Sequence, residues 1–499
     1  MTRTSKPLWI AIAVAVMFGA LGARAADAGP RAKAEAAPRA EAGKIPITTA
    51  SEEARALYRQ GRDLLEKLRV TDARKEFGAA VAKDKDFALG YLGLAGTSRS
   101  TEEFFGALER AVALADKVSE AEQLMIRGLQ AGATGKPGQQ KELYGRLVQL
   151  HPRDERALTL LASFHFGQQD FGKAVELYGK AVAINPTFTS PYNLMGYSYR
   201  GLERYAEAEK AFQKYIELIP GDPNPYDSYA ELLMKTGRFD ESIKSYEKAL
   251  AIDPNFISAY IGIANNHMFS GRGEDARKAL ARLTRVARDD NERRQALAWT
   301  AESFIHEAAW DKALGEIDRM IALADQAKDL GQKANDLNFK GNTLLEAGRP
   351  DDAAVAFAAQ VVASDGANTP AEVKEAAHRN TLYDQGRVAL ARHDLAAAKV
   401  RAASYAQQVA AKQIPFEIRQ QHELTGLIAL ADGKPRVAVT ELAQANQQDP
   451  RVLYHHAAAL VAAGDAQKAR IAIRKAAEFN ALSLNYGYVR ARARALARS

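Results

Sequence analysis

The run Tyr192-Asn193-Leu194-Met195-Gly196-Tyr197-Ser198-Tyr199 sets Tyr192, Met195, Gly196 and Tyr199 at i, i+3, i+4 and i+7. That spacing is one face of an α-helix. Gly201 helps to end this helix near Leu202-Glu203-Arg204-Tyr205. A second helix then places Ala208, Phe212 and Tyr215 at i, i+4 and i+7, and Pro220 stops it. Pro186, Pro220 and Pro254 stand 34 residues apart. Ala73, Ala107, Ala174, Ala208 and Ala276 keep the same beat, at intervals of 34, 67, 34 and 68. A period of this length is the signature of stacked helix–turn–helix units. One such unit cannot bury its apolar face alone, so neighbours must stack to make a core.

Gly196 and Ala208 are small, as two closely touching antiparallel helices require, and Phe212 is expected to fill the wider gap beside them. A glycine costs a helix about 1 kcal/mol against alanine, and close packing compensates. These residues resemble the tetratricopeptide repeat family. The next unit keeps Tyr226, Ala230, Leu233, Tyr246, Ala249 and Pro254, with Ser242 in place of the small alanine. The preceding unit has Ala162, Ala174, Tyr178, Ala181 and Pro186, and the following one Tyr260, Ala264, Ala276 and Leu280. Thr159–Asp290 is the strongest stretch of the resemblance.

Upstream, Leu57, Gly61, Leu64, Ala73, Phe77 and Ala80 form a first unit, and Tyr91, Ala95, Ala107 and Ala111 a second. A third runs from Leu124 and Gly128 through Tyr144 and Leu147, with Gln140 where alanine is expected. Downstream the units drift, through Ala301, Ala313 and Ile317, then Gly341, Ala353 and Phe357, then Gly386 and Ala398. Gly426, Ala438, Leu442 and Pro450 restore the pattern, and Ala457, Gly464, Ala469 and Ile473 form the last unit. The resemblance implies an all-α, right-handed α-solenoid of about twelve helix–turn–helix units. Ser364–Lys374 and Gln413–Pro415 break the beat and are expected to be surface loops.

The chain has 499 residues, 47% of them apolar and 26% charged, the balance of an ordinary folded protein. It contains no cysteine, so disulfides, thiolate metal sites and thiol catalysis are excluded. Met1–Pro7 carries Arg3 and Lys6, Leu8–Leu21 is apolar, and Ala23-Arg24-Ala25 fits a signal peptidase. The expectation is an exported protein, periplasmic or secreted, cut after Ala25. An uncleaved N-terminal membrane anchor is the alternative, disfavoured because the apolar run falls short of the roughly 20 residues a span needs. After cleavage no transmembrane span is expected. The formal charge of +7 loses Arg3, Lys6 and Arg24 with the leader and falls to +4, too small an excess to suggest a nucleic-acid partner.

The expected order is therefore a signal peptide over 1–25 and a flexible Ala/Pro/charged tether over 26–50. An N-terminal array follows over 51–292, a degenerate C-terminal array over 293–482 and a capping helix over 483–499. In that last helix Val489, Ala493 and Leu496 make a narrow apolar stripe, and Arg490, Arg492, Arg494 and Arg498 are expected to stay solvated.

No catalytic residue, cofactor site or metal site is expected. His306-Glu307-Ala308-Ala309-Trp310 begins like a zinc-binding helix but lacks the second histidine. His455 and His456 point to different helix faces. Gly135-Lys136-Pro137 has proline where a phosphate loop needs a hydroxyl. Asp351-Asp352 and Asp289-Asp290 sit in turns, where they compensate helix N-termini.

In the family the first helices line a concave groove. The 3.6 periodicity then turns Arg156, Thr159, Ser163 and Phe166 toward it, followed by Ser190, Asn193, Tyr197 and Arg200. Asn224, Asp227, Glu231 and Met234 come next, then Ser258, Ile261, Asn265 and Met268. Tyr197 with Arg200 is the best anchor, because tyrosine and arginine dominate binding hot spots. The paired lysine and asparagine of the family's carboxylate clamps are missing, so no chaperone partner is expected. The implied function is a scaffold that binds a protein or peptide in the bacterial envelope. The alternative is an accessory or sensor subunit for a cell-wall or carbohydrate-active enzyme.

Overall fold

A computed structural model describes residues 43–67 and 69–498. The expected signal peptide and most of the expected tether lie outside the described residues. Among those described there are 25 α-helices, one short 3-10 turn and no strand. Helices α1 to α8 are Glu52–Glu66, Val70–Lys83, Ala88–Gly96, Thr101–Leu114, Glu120–Ala133, Pro137–Leu150, Glu155–Gly167 and Phe171–Ile184. Helices α9 to α16 are Thr189–Gly201, Tyr205–Leu218, Asn224–Lys235, Phe239–Ile252, Ile257–Phe269, Gly273–Val286, Asp290–Ile305 and Trp310–Gln326. Helices α17 to α25 are Leu330–Glu346, Pro350–Gly366, Ala371–Ala391, Leu395–Lys412, Pro415–Ala431, Pro435–Gln444, Pro450–Ala462, Ala466–Ala477 and Tyr486–Leu496. Taken two at a time in chain order they are successive helix–turn–helix pairs, with α25 left over.

Sequence chemistry sets the boundaries. Ser51, Ser119, Asp154, Asp289 and Asp449 each cap a helix N-terminus with a side-chain oxygen. Proline opens α6, α18, α21, α22 and α23, where its missing N–H is not needed. From the third pair onward, the turn inside each pair is tightened by one residue in the left-handed region. These residues are Gly135, Gln169, Glu203, Gly237 and Gly271, each 34 after the last. The series continues with Ala308, Gly348, His393, Gly433 and Gly464, at intervals of 37, 40, 45, 40 and 31.

Inside a pair the fit follows one rule. Gly196 on α9 lies under the ring of Phe212 on α10, where an added Cβ would approach the ring to 2.5 Å. Gly341 meets Phe357 at the same 2.5 Å, and Gly61, Gly128 and Gly426 meet Phe77, Tyr144 and Leu442. Each large residue follows its glycine by 16. The ring thus rests directly on the glycine, not in a gap beside it. In the third pair Gly132 supplies the space that Gln140 fills, which explains the missing alanine.

The chain divides into two compact units. The N-terminal unit comprises the described residues up to Leu232 together with Lys244–Ala259, and the C-terminal unit Leu233–Ile243 with 260–498. The division falls ahead of the 292/293 boundary read from the sequence. In the N-terminal unit, Gly43–Ala50 is not a free tether. Ile47 packs into the core of α1 to α3, and Ile45 against that of α5 to α7.

The C-terminal unit has longer helices, up to 21 residues in α19. They absorb the two expected loops. Helix α18 runs through Gly366 and α19 starts at Ala371, so only four residues connect them. Gln413 caps α20 in the left-handed region, and Pro415 opens α21 immediately after. The last helix packs on α23 and α24 and also reaches α15. Tyr486, Tyr488, Val489 and Ala493 are buried. The Gly487 N–H donates to Glu302 Oε1 at 2.9 Å, and Tyr488 pairs with Thr343 Oγ1 at 2.9 Å. Arg490 is half-buried and donates to the Phe269 carbonyl, contrary to the solvated position expected of it.

Candidate functional site

The sixteen residues expected to line the groove divide evenly in burial. Arg156, Thr159, Phe166, Ser190, Tyr197, Arg200, Glu231 and Ser258 are half-buried. The other eight are buried and unavailable to a partner as placed. Ser163 turns inward and pairs with the Tyr178 hydroxyl at 2.9 Å. Asn224 donates to Tyr215 Oη at 2.9 Å. Asn265 donates back to the Ile261 carbonyl at 2.9 Å. Asn193, Asp227, Met234, Ile261 and Met268 are each at most 6% exposed. The expectation fails at these positions because a first helix packs against its own partner and against both neighbouring pairs. A single apolar stripe underestimates what such a helix buries.

What the structure does bring together is Tyr197, Arg200 and Glu231, across two successive pairs of the N-terminal unit. Tyr197 and Glu231 are one 34-residue period apart, and the hydroxyl donates to Glu231 Oε1 at 3.1 Å. Ser228 Oγ lies 3.3 Å from the same hydroxyl. Arg200 Nη1 donates to Glu231 Oε2 at 2.9 Å. Its guanidinium sits 4.7 Å from the centre of the Tyr197 ring. That ring packs edge-on against Phe212, the residue that covers Gly196. The glycine-on-ring contact therefore fixes the anchor from behind.

The electrostatics of the cluster follow from burial. Burial, then the charges of Glu231 and Asp227, push the Tyr197 hydroxyl well above its ordinary range. Asp227 is pushed well up by burial and then by Glu231, which favours its neutral form. For Arg200 burial alone would lower the value, and the Glu231 carboxylate overrides it. The result is an ion pair between Arg200 and Glu231 beside a tyrosine that keeps its proton, groups suited to recognition.

Arg156 is held separately. It forks onto Glu66 at 2.7 and 3.2 Å and lies over the Phe188 ring at 5.1 Å. Sequence reading missed Glu66, and it also missed Asp84, Glu122 and Asp154, which hold Gly43–Ala50. For Glu122 and Asp154 the local signal is weak, a position at a helix start, and Asp84 follows the end of α2. Among the described residues no helix is long and apolar enough to cross a membrane. No group of three histidines or acids among them could hold a metal ion.

The tetratricopeptide repeat family model matches residues 155–188, 189–222 and 233–300. No curated protein matches the sequence. Among solved structures, a crystal structure of MamA is 22% identical, covers 34% of this chain and 91% of its own, and has a TM-score of 0.29. A thermophilic tetratricopeptide repeat protein of Thermus thermophilus is 19% identical, with coverages of 36% and 98% and a TM-score of 0.32. One from Parabacteroides merdae is 17% identical, with coverages of 54% and 92% and a TM-score of 0.34. Repeat arrays of this kind are protein-interaction scaffolds, built around extended binding surfaces. Residues 155–188, 189–222 and 233–300 are thus tetratricopeptide repeats, and helix pairs continue on both sides of them.

Proposed function

We propose that the chain is a non-catalytic scaffold of the bacterial envelope, and that its N-terminal unit grips a protein or peptide segment at the Tyr197–Arg200 face. The observation that carries this reading is the Tyr197–Arg200–Glu231 cluster, half-buried and fixed across two repeats. A pre-ordered tyrosine and arginine lose little side-chain freedom on binding. An incoming carboxylate or carbonyl can take the place of Glu231 on the arginine. The envelope location is supported by the basic, apolar and small-residue order of the first 25 residues.

Affinity capture from envelope extract would supply the partner, and titration calorimetry with that purified partner tests the face. Tyr197→Ala combined with Arg200→Ala should weaken binding by about 2 kcal/mol or more, the mark of a hot spot. Unchanged affinity in a double variant of wild-type helicity would remove this face from the function. Cell fractionation with N-terminal sequencing checks the location, and a mature chain beginning at Ala26 is expected.

A further inference from the structure

Gly43–Ala50 is bound to the N-terminal unit in the way a peptide ligand is bound. It belongs to no helix and lies across residues drawn from several pairs. The Ile45 N–H donates to Asp154 Oδ2 at 2.8 Å. The Thr48 N–H donates to Glu122 Oε1 at 2.8 Å, and the Thr48 hydroxyl to Glu122 Oε2. The Thr49 hydroxyl and the Ala50 N–H both reach Asp84 Oδ2. Lys44 pairs with Glu155 and also donates to the Arg153 carbonyl at 3.2 Å. Ile45 and Ile47 enter two separate apolar clusters. Pro46, between them, has no N–H to leave unpaired.

The receiving acids are built into the fold. Glu122 is 0% exposed and Asp154 2% exposed. Asp154 uses Oδ1 on its own helix, taking the Arg156 and Ala157 N–H groups, and gives Oδ2 to the segment. Glu122 uses Oε2 in the capping box with Ser119, and its Oε1 takes the Thr48 N–H. Each acid thus turns one oxygen to a backbone donor that is not part of the repeat. The segment itself is only half-buried at Lys44, Ile45, Pro46 and Ile47. A buried acceptor facing a partly exposed, non-helical donor is the arrangement of a site and its ligand.

We infer that this ledge, formed by Asp84, Glu122 and Asp154, is a second peptide-binding site, separate from the Tyr197–Arg200 face, which Lys44–Thr49 fills in cis. The ligand class is an extended segment of a partner protein with a lysine, two aliphatic residues flanking a proline, and a following threonine pair. Main-chain N–H groups read by the carboxylates give affinity, and the two isoleucine sites give sequence preference.

The test uses the full chain with its own occupant disabled by Ile45→Asp and Ile47→Asp, which set negative charge against the acids. The probe is a fluorescent peptide of residues 43–51. Saturable binding to this variant is expected, with binding to the wild-type chain at least about tenfold weaker because the site is filled. Adding Glu122→Gln to the variant should cost a further loss of about tenfold, since the amide cannot accept both donors. A folded variant that fails to bind the peptide overturns the inference, as does equal binding to variant and wild type. Loss of helical circular dichroism in the variant would make the segment a folding staple, and concentration-dependent dimers of the wild type would place it on a second copy. Either result also overturns it.

Discussion

The two units treat the same kind of surface in opposite ways. In the N-terminal unit, side chains on first helices form a cluster around Tyr197 and Arg200 that stays half-buried. In the C-terminal unit, the first helices α13, α15, α17 and α23 supply Phe269, Glu302, Thr343 and Tyr454, and α25 lies on all four. Arg492 completes that seat with an ion pair to Glu346 at 2.6 Å. One unit leaves this polar face half-buried, where we propose recognition, and the other covers it with its own last helix. The lesson is that what covers the first helices can differ even where the packing rule is uniform.

The largest expected effect tests the second half of that contrast. Tyr486 is fully buried, edge-on to Phe269 and His306, with its hydroxyl on the Ala477 carbonyl at 2.6 Å. Tyr486→Ala should destabilise the C-terminal unit by about 3–5 kcal/mol in urea unfolding. Tyr197→Ala, at a half-buried ring, should cost clearly less. Equal losses would erase the distinction between a structural helix and an open face.

A pH titration sharpens it. Burial pushes His306 down to about 3 and His455 down to about 4, both in the C-terminal unit. Their unfolded values are near 6.5, so the native state binds fewer protons between the two values. Stability from these groups is therefore present above pH 6.5 and lost as pH falls toward 3. Glu302, raised by burial, acts in the opposite sense above its ordinary range. His306→Gln with His455→Gln should flatten the acid limb by at least about 1–2 kcal/mol, read from unfolding midpoints at successive pH. An unaltered limb would assign the acid sensitivity to other groups.

The smallest effect concerns the turns that both units share. Glu203 sits in the left-handed region at φ +60°, where the equivalent turn one period later has Gly237. Glu203→Gly should stabilise the N-terminal unit by about 1 kcal/mol in thermal unfolding. A loss of stability would mean that the glutamate side chain outweighs its backbone strain.

These turns also explain what was legible in the sequence. From Gly135 to Gly271 they recur every 34 residues, so small and aromatic positions line up and the fold reads directly. Beyond Gly271 the helices from α15 to α21 lengthen to between 16 and 21 residues and the interval drifts, which makes intact pairs look degenerate and turns helix ends into expected loops. At the candidate site, Tyr197 and Arg200 were found because they lie one helical turn apart on the same face. The eight buried residues were misplaced because side chains from neighbouring pairs close over them. Asp84, Glu122 and Asp154 could not be tied to Gly43–Ala50 at all. Their contacts span 35, 74 and 109 residues, and no local period encodes them.

The even spacing of the left-handed turns has a consequence for how such a chain can change. A slip of 34 residues between Gly135 and Gly271 would add or drop one complete hairpin and leave each later side chain on its original face. Where the spacing wanders from 31 to 45, a slip of that fixed length would strand part of a helix. Growth and shrinkage are open to the early repeats and closed to the late ones.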